Sequence, residues 1–443
     1  MARRNTLDIS GPTPALIRPF AEFFRLEAAG GILLLIAAAA ALVLANSPAA
    51  GGYFGFWNTP VTIGGGEWSL TKPALLWVND GLMAIFFFVV GLEIKREIII
   101  GELSSLRKAA LPLAAALGGM VVPALIYFAL NAGQPTVRGW GIPMATDIAF
   151  ALGILALLAR QAPVGLKVFL TAVAIIDDIG AVLVIALFYT AQISTGALMI
   201  AGGLLLILAA LNRLGVRSPL PYGLLGLLLW LAVLKSGVHA TVAGVALAFF
   251  IPAQRAVDDG TFLDKAREML DVFARGGPAR SPMPTVDQRD AIQSLEQLSK
   301  AAEAPLTRLE ERLHPWVAFA IVPLFAFANA GVAIQVGSSD FFLNSVTTGV
   351  TAGLLVGKPL GILGFSLLAV GTGVGTLPKG VGWRQVAGAA ALCGVGFTMS
   401  LFIGSLAFEA PINLEHAKVG ILLGSAASAV LGAALLRSRR QPS

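Results

Sequence analysis

Asp177 and Asp178 stand side by side in AIIDDIGAVLV, inside an apolar run from Val168 to Tyr189. Asp147 lies in MATDIAFALG and Lys358 in LLVGKPLGI, each again among apolar residues, and Asp80 in WVNDGLMA lies nearer the end of its run. An ionisable side chain at the centre of such a run costs about 2.5–3.5 kcal/mol on insertion scales, so it persists mainly where it faces a cavity or a partner. A carboxylate holds a proton or a hard cation through its oxygens, but not both well. Paired acids in an apolar setting therefore describe a competition site for a small cation and a proton, with no covalent chemistry. Neighbours on a helix project about 100° apart, so the pair cannot both face lipid or both hide against one flat surface. At least one of them lines a polar cavity. A buried salt bridge to Lys358 is the other use for a lone aspartate, but one lysine cannot neutralise Asp147, Asp177 and Asp178 together.

The elements that carry these residues are membrane spans. The 443 residues are 56% hydrophobic and 13% charged, with a mean hydropathy of +0.81, against about 25% charged residues in soluble domains. Apolar runs long enough to cross a bilayer as helices fall near 28–46, 74–94, 108–130, 141–159, 167–190, 195–212, 219–236, 238–253, 315–334, 346–370, 385–407 and 416–436. The expected fold is an all-α polytopic membrane protein of about 12 transmembrane helices. The first run begins late for a signal peptide and further spans follow, so it is retained. A single cysteine, Cys393, leaves no internal disulfide.

Lys and Arg should collect on alternate loops, and they do. One side receives Arg3, Arg4, Arg18 and Arg25, then Lys95, Arg96, Arg107 and Lys108, then Arg160 and Lys167, then Arg213 and Arg217, and finally Lys379, Arg384 and the tail. The other side has Lys72, Arg138, Lys235 and Lys418, mostly singly. Both termini are therefore expected in the cytoplasm, and the net charge of +6 is topology rather than a nucleic-acid surface. The organisation reads as a cytoplasmic N-terminal segment (1–27), spans one to eight (28–253), a charged cytoplasmic loop (254–313), spans nine to twelve (314–437) and a tail (438–443). Residues 60–72, PVTIGGGEWSLTK, alternate about a triple glycine and predict a short β-hairpin on the outer, periplasmic face.

Two spans carry helix breakers. GWGIPMATD places Pro143 and two glycines before Thr146 and Asp147, and LCGVGFTMS places Gly394 and Gly396 beside Thr398. Glycine weakens a helix interior by roughly 1 kcal/mol and proline removes a hydrogen bond, although such glycines also serve close helix packing. Spans four and eleven run in opposite directions. If both are interrupted and cross, like ends of their half-helices meet, positive facing positive and negative facing negative. Asp147 would compensate the positive ends and Lys358 the negative ones. Spans three to five and ten to twelve would then be inverted repeats, a plan that places ion sites between broken helices.

VNDGLMAIFFFVVGLEIKRE, MATDIAFALGIL, AIIDDIGAVLV, LLVGKPLGI and LCGVGFTMSLFI resemble, in this order, the motifs of the NhaA family of bacterial sodium/proton antiporters, a family in which the inverted-repeat plan was itself recognised. The resemblance covers nearly the whole chain. It implies a secondary active carrier in the bacterial inner membrane that extrudes Na+ or Li+ for external H+, electrogenically and under pH control, with no cofactor. Asp177 and Asp178 would form the cation and proton site and ligate the transported Na+, with Asp147 and Thr146 assisting and Lys358 as buried charge partner. A second proton has two candidate carriers, Lys358 and the second aspartate. The pH response would map to Glu93, Arg96 and Glu97 in GLEIKRE and to Glu310 and His314 in RLEERLHPW, residues that ordinary solvated loop chemistry would also place there. His239 reads as a packed or hydrogen-bonded histidine. The resemblance also implies a homodimer through the 60–72 hairpin.

Two other classes compete. An intramembrane aspartyl protease would carry a Gly-x-Gly-Asp element, whereas Asp177 follows AII and Asp147 follows MAT. It would leave Asp178 and Lys358 idle, so the chain is read as no enzyme. A sodium-coupled symporter of the same plan would need more polar or basic groups near the midplane than Lys358 alone.

Overall fold

The computed structural model describes residues 29–65, 69–158, 162–190, 193–276, 283–334 and 342–437. The expected N-terminal segment, the C-terminal tail and the hairpin tip at 66–68 lie outside the described residues. Two compact units divide the chain: one draws on residues 1–75, 107–181 and 318–443, the other on 76–106 and 182–317.

The first unit opens with helix α1 (Ala29–Ala45), which turns by 112° into the short α2 (Ala50–Asn58). Helix α2 is held by its aromatic side: Tyr53 and Trp57 are buried, and the Tyr53 hydroxyl donates to the Phe327 carbonyl at 2.6 Å. Strands β1 (Pro60–Ile63) and β2 (Leu70–Pro73) pair antiparallel, Pro60 opposite Pro73 and Ile63 opposite Leu70, which is the expected hairpin.

The rest of this unit repeats one pattern twice. A continuous helix α4 (Leu106–Leu130) precedes a 3-10 segment (Pro135–Met144), a non-helical step at Ala145, Thr146 and Asp147, helix α5 (Ile148–Leu158) and helix α6 (Val164–Phe188). After α13 (Val322–Asn329), α14 (Ser345–Gly371) is followed by α15 (Trp383–Cys393), a break at residues 394–396, α16 (Phe397–Ala407) and α17 (Pro411–Leu436). The α15–α16 pair bends by 42°. Each triplet thus has its middle span interrupted, where the breakers in the sequence placed it.

The second unit holds α3 (Ala74–Ile99), α7 (Thr195–Arg213), α8 (Pro219–Leu234) and α9 (Val242–Phe250) around Leu92, Leu208, Tyr222, Leu229 and Ile251. On the outward side of α7, Met199, Ile200 and Leu206 are exposed, an arrangement stable only against lipid. Seven described helices are long and apolar enough to cross a membrane, or nine if each bent pair is one span. All twelve expected runs fall on helices, but α9 is short. Its nine residues rise only about 14 Å, because residues 236–241 form turns, with Gly237 at φ 85°.

The charged segment 254–313 is largely helical. Amphipathic α10 (Asp259–Arg275) and α11 (Val286–Ala302) pack on each other, and a reciprocal cap between Thr285 and Gln288 starts the second. Helix α12 (Pro305–Trp316) then runs through a π-helical stretch, Val317–Ile321, into α13. The boundary placed at 313–314 therefore falls inside one continuous helical run. Pro315 does not end it, because the wider turn absorbs the missing hydrogen bond. Similar π-helical stretches occur at Trp77–Leu82, which contains Asp80, and at Gly353–Gly357, directly before Lys358.

Candidate functional site

The two interruptions meet. The Asp147 amide donates to the Val395 carbonyl at 2.7 Å, and the Ser400 hydroxyl to the Ile142 carbonyl at 2.7 Å. Gly396 allows this approach, since a methyl group on it would stand 3.0 Å from the Ala145 carbonyl and collide with Ser400 and Leu354, while Gly394 lets the break pack against the Leu354 carbonyl and Ser428. Neither glycine has a positive φ, so close contact rather than backbone freedom selects them. Pro143, buried in the last turn of the 3-10 segment, packs where a methyl on Gly353 would stand.

Asp147 joins the two N-terminal half-helix ends. Its Oδ1 accepts the Phe150 amide at 3.0 Å, the normal N-cap bond of α5, and its Oδ2 accepts the Thr398 amide at 3.0 Å in the first turn of α16. The Thr398 hydroxyl also donates to Oδ2. One carboxylate therefore faces two positive helix ends at once, as expected, and both of its oxygens are committed. Asp147 is 2% exposed, so these bonds hold nearly all of its interaction with polar groups.

Thr146 organises the other half. Its hydroxyl lies 2.7 Å from Asp177 Oδ2 and 3.0 Å from the carbonyl of Cys393, the last residue of α15, and it receives a hydrogen bond from Lys358 Nζ at 2.5 Å. Lys358 also forms a salt bridge with Asp177 Oδ2, and both side chains are fully buried. Thr146 thus links the negative end of α15 to Lys358, one hydroxyl away from the Cys393 carbonyl. The direct ionic partner of Lys358 is Asp177, because it offers a full charge where the carbonyl offers a partial one.

Asp177 Oδ1 is buried and has no hydrogen-bond partner among the described residues. Asp178 is 1% exposed beside it on α6. The structure brings Asp177, Thr146 and Lys358 into direct contact and joins Asp147 to them through the adjacent backbone and the paired breaks. The Cys393 and Val395 carbonyls were not legible from sequence, because backbone acceptors leave no mark in residue type, and the Ser400 hydroxyl was not, because its acceptor is the backbone carbonyl of Ile142. The Asp147–Phe150 cap was legible in principle, as an aspartate immediately before an apolar helix.

The charged residues expected to respond to pH lie in the second unit. Arg96 pairs with Glu310 and sits 3.3 Å from Glu97. Glu97 Oε2 in turn accepts the Glu102 amide at 2.9 Å. Glu93, one turn before them on α3, is coupled electrostatically to Glu310, Arg96 and Glu97. Burial raises the Glu310 pKa above the ordinary glutamate range, with Arg96 opposing, and burial lowers that of His314, with Arg96 adding to the shift. His239 lies 3.0 Å from Thr241 Oγ1 and 3.7 Å from Asp80, a hydrogen-bonded histidine as read from sequence.

Two interrupted spans meeting around a buried acid–base site define a secondary transporter of the broken-helix class. The chain belongs to the family described as Na+/H+ antiporter 1, whose sequence signature matches residues 21–436. It is 51% identical to the Na(+)/H(+) antiporter NhaA of Oleidesulfovibrio alaskensis over 97% of each chain. It is also 50% identical to Na(+)/H(+) antiporter NhaA 2 of Syntrophotalea carbinolica over 95% of this chain and 96% of that one. With the NhaA of Rhodospirillum rubrum it shares 49% identity over 96% and 99%.

Proposed function

We propose that this chain exchanges cytoplasmic Na+ or Li+ for external H+ at Asp177 and Asp178, with Lys358 holding the site between cations. Family membership makes it a Na+/H+ antiporter and not an enzyme. The observation that carries the site assignment is the divided carboxylate of Asp177, one oxygen held by Lys358 and Thr146, the other buried and without a hydrogen-bond partner among the described residues. An arriving cation replaces Lys358 as the counter-charge. The displaced ammonium, desolvated and unpaired, is then strongly disfavoured, so proton release from this site accompanies cation entry. When the cation leaves, protonation and the lysine bridge return together. Thr146 supplies a further oxygen, and Asp147 keeps the two half-helix ends joined while the occupant changes.

If two protons enter for each sodium that leaves, one net charge moves per cycle and the membrane potential, at about 2.3 kcal/mol per 100 mV, drives extrusion. The protein resides in the bacterial inner membrane with both termini cytoplasmic, a reading supported by the one-sided distribution of Lys and Arg. A homodimer through the hairpin is supported by the exposure of β1 along its whole length, since an exposed edge favours strand pairing with a second copy. The Arg96–Glu310–His314 cluster sets the pH response.

Proton flux in everted vesicles, recorded on adding NaCl or LiCl without organic solute, tests the proposal. Cation-evoked proton release is expected, and its loss in Asp178→Asn. No response in the parent protein refutes antiport, and an unchanged response in Asp178→Asn removes that residue from the site.

A further inference from the structure

We infer that Gly119 is a size determinant of the cation site, keeping side-chain carbon of its own off Asp177 Oδ1 where α4 packs against Ile362. This rests on the assignment of cation binding to Asp177. Helices α4 and α14 cross backbone to backbone at Gly118 and Gly361: a methyl group on either would collide with the carbonyl of the other. That crossing brings the next residue, Gly119, against Asp177. A methyl on Gly119 would stand 3.9 Å from Asp177 Oδ1, in ordinary van der Waals contact, and 2.8 Å from Ile362 Cγ1. The nearby carboxylate oxygen is the one that is buried and without a hydrogen-bond partner among the described residues. A bare Cα facing an unsatisfied, fully buried carboxylate oxygen is unusual, because such atoms nearly always have partners.

The chemistry gives the direction. Na+ has longer oxygen contacts than Li+ and gathers more ligands, so it needs more room around each carboxylate oxygen. Placing apolar carbon in contact with Oδ1 removes one approach to that oxygen, which costs the larger ion more. A single methyl in a close-fitting site discriminates by about tenfold or more. Gly119→Ala is therefore expected to raise the KM for Na+ about tenfold, with the KM for Li+ moving much less and kcat for Li+ retained.

The experiment measures cation-evoked proton release in vesicles with Na+ and with Li+ for the parent, Gly119→Ala, Ile362→Ala and Gly119→Ala/Ile362→Ala. The double variant relieves the contact with Ile362 but keeps the methyl beside Oδ1, and it decides the matter if the single variant fails to assemble. A raised Na+ to Li+ ratio of KM values in the double variant supports the inference. A ratio equal to that of the parent overturns it and assigns the glycine to helix packing alone. Asp177→Asn, run in parallel, separates the two readings. If it responds to Na+ like the parent, the Asp177 assignment fails and this inference fails with it. If it is silent while the glycine variants match the parent, only this inference fails.

Discussion

Asp177–Lys358 in the first unit and Arg96–Glu310 in the second are built from the same parts, a carboxylate and a long basic side chain, yet they stand in different surroundings. The first pair is fully buried on both sides, whereas the Arg96 side chain is 35% exposed and that of Glu310 is 7% exposed. Separating a fully buried pair leaves two desolvated charges and costs about 3–5 kcal/mol when one partner is removed. A pair with one half-exposed member can rehydrate on that side, so opening it costs less than opening the fully buried one. The buried pair can therefore open only when another charge takes its place, which is the property an exchange site needs. The half-exposed pair can respond to solution conditions by degrees, which suits modulation.

The largest effect that would break this comparison is at Asp177. Asp177→Asn is expected to abolish cation-evoked proton release and to lower stability by about 3–5 kcal/mol, because Lys358 is left buried without its counter-charge. Adding Lys358→Met should recover most of the thermal stability in detergent without recovering transport. If the single variant melts like the parent, the pair is not the buried, uncompensated one described here. Asp147→Asn comes next. It keeps an acceptor but removes the charge facing two helix N-termini, each worth about 0.3–1 kcal/mol and more when buried, so a loss of about 1–3 kcal/mol is expected in the same thermal assay.

Smaller effects belong to the second unit. Burial raises the Glu310 pKa, so stability is complete below the unfolded glutamate value of about 4.3 and declines as pH rises through the folded value. Glu310→Gln mimics the protonated form and should flatten that decline, moving the pH midpoint of antiport by less than about one unit, since one unit corresponds to about 1.4 kcal/mol. Burial lowers the His314 pKa, which has the opposite sign. Its contribution is complete above about pH 6.5 and is lost as pH falls through the folded value, so His314→Gln should flatten the loss on the acid side of a melting-temperature profile. The smallest change is expected at His239→Gln, within about 0.5 kcal/mol, because an amide can replace the contact with Thr241.

Much of the fold was legible because lipid imposes a simple rule. Backbone groups must be satisfied within each span, so long apolar runs such as Gly196–Leu211 had to be helices, and breakers such as Pro143 and Gly394 marked where a helix stops. The shortness of α9 and the helical path of 305–329 were not legible. The first depends on a turn at Gly237, and the second on a π-helical stretch that follows Pro315 and continues the helix. That Asp147, Asp177, Asp178 and Lys358 stand buried among apolar residues was readable from their cost in hydrocarbon. Their division of labour was not, because it depends on which backbone carbonyls and amides the folded chain brings within reach.

The sequence by itself determined that this chain lives in a membrane, that two of its spans are interrupted, and that acids and one lysine are buried among apolar residues. Those follow from transfer energies and local backbone preferences, which act one residue at a time. Only the tertiary structure decided that Asp147 serves two helix ends, that Lys358 pairs with Asp177 beside Thr146, and that Gly119 stands against the Asp177 oxygen that has no hydrogen-bond partner among the described residues. These depend on distances of a few ångströms between segments far apart in the chain, and electrostatics at such distances is set by packing, which residue types alone do not fix.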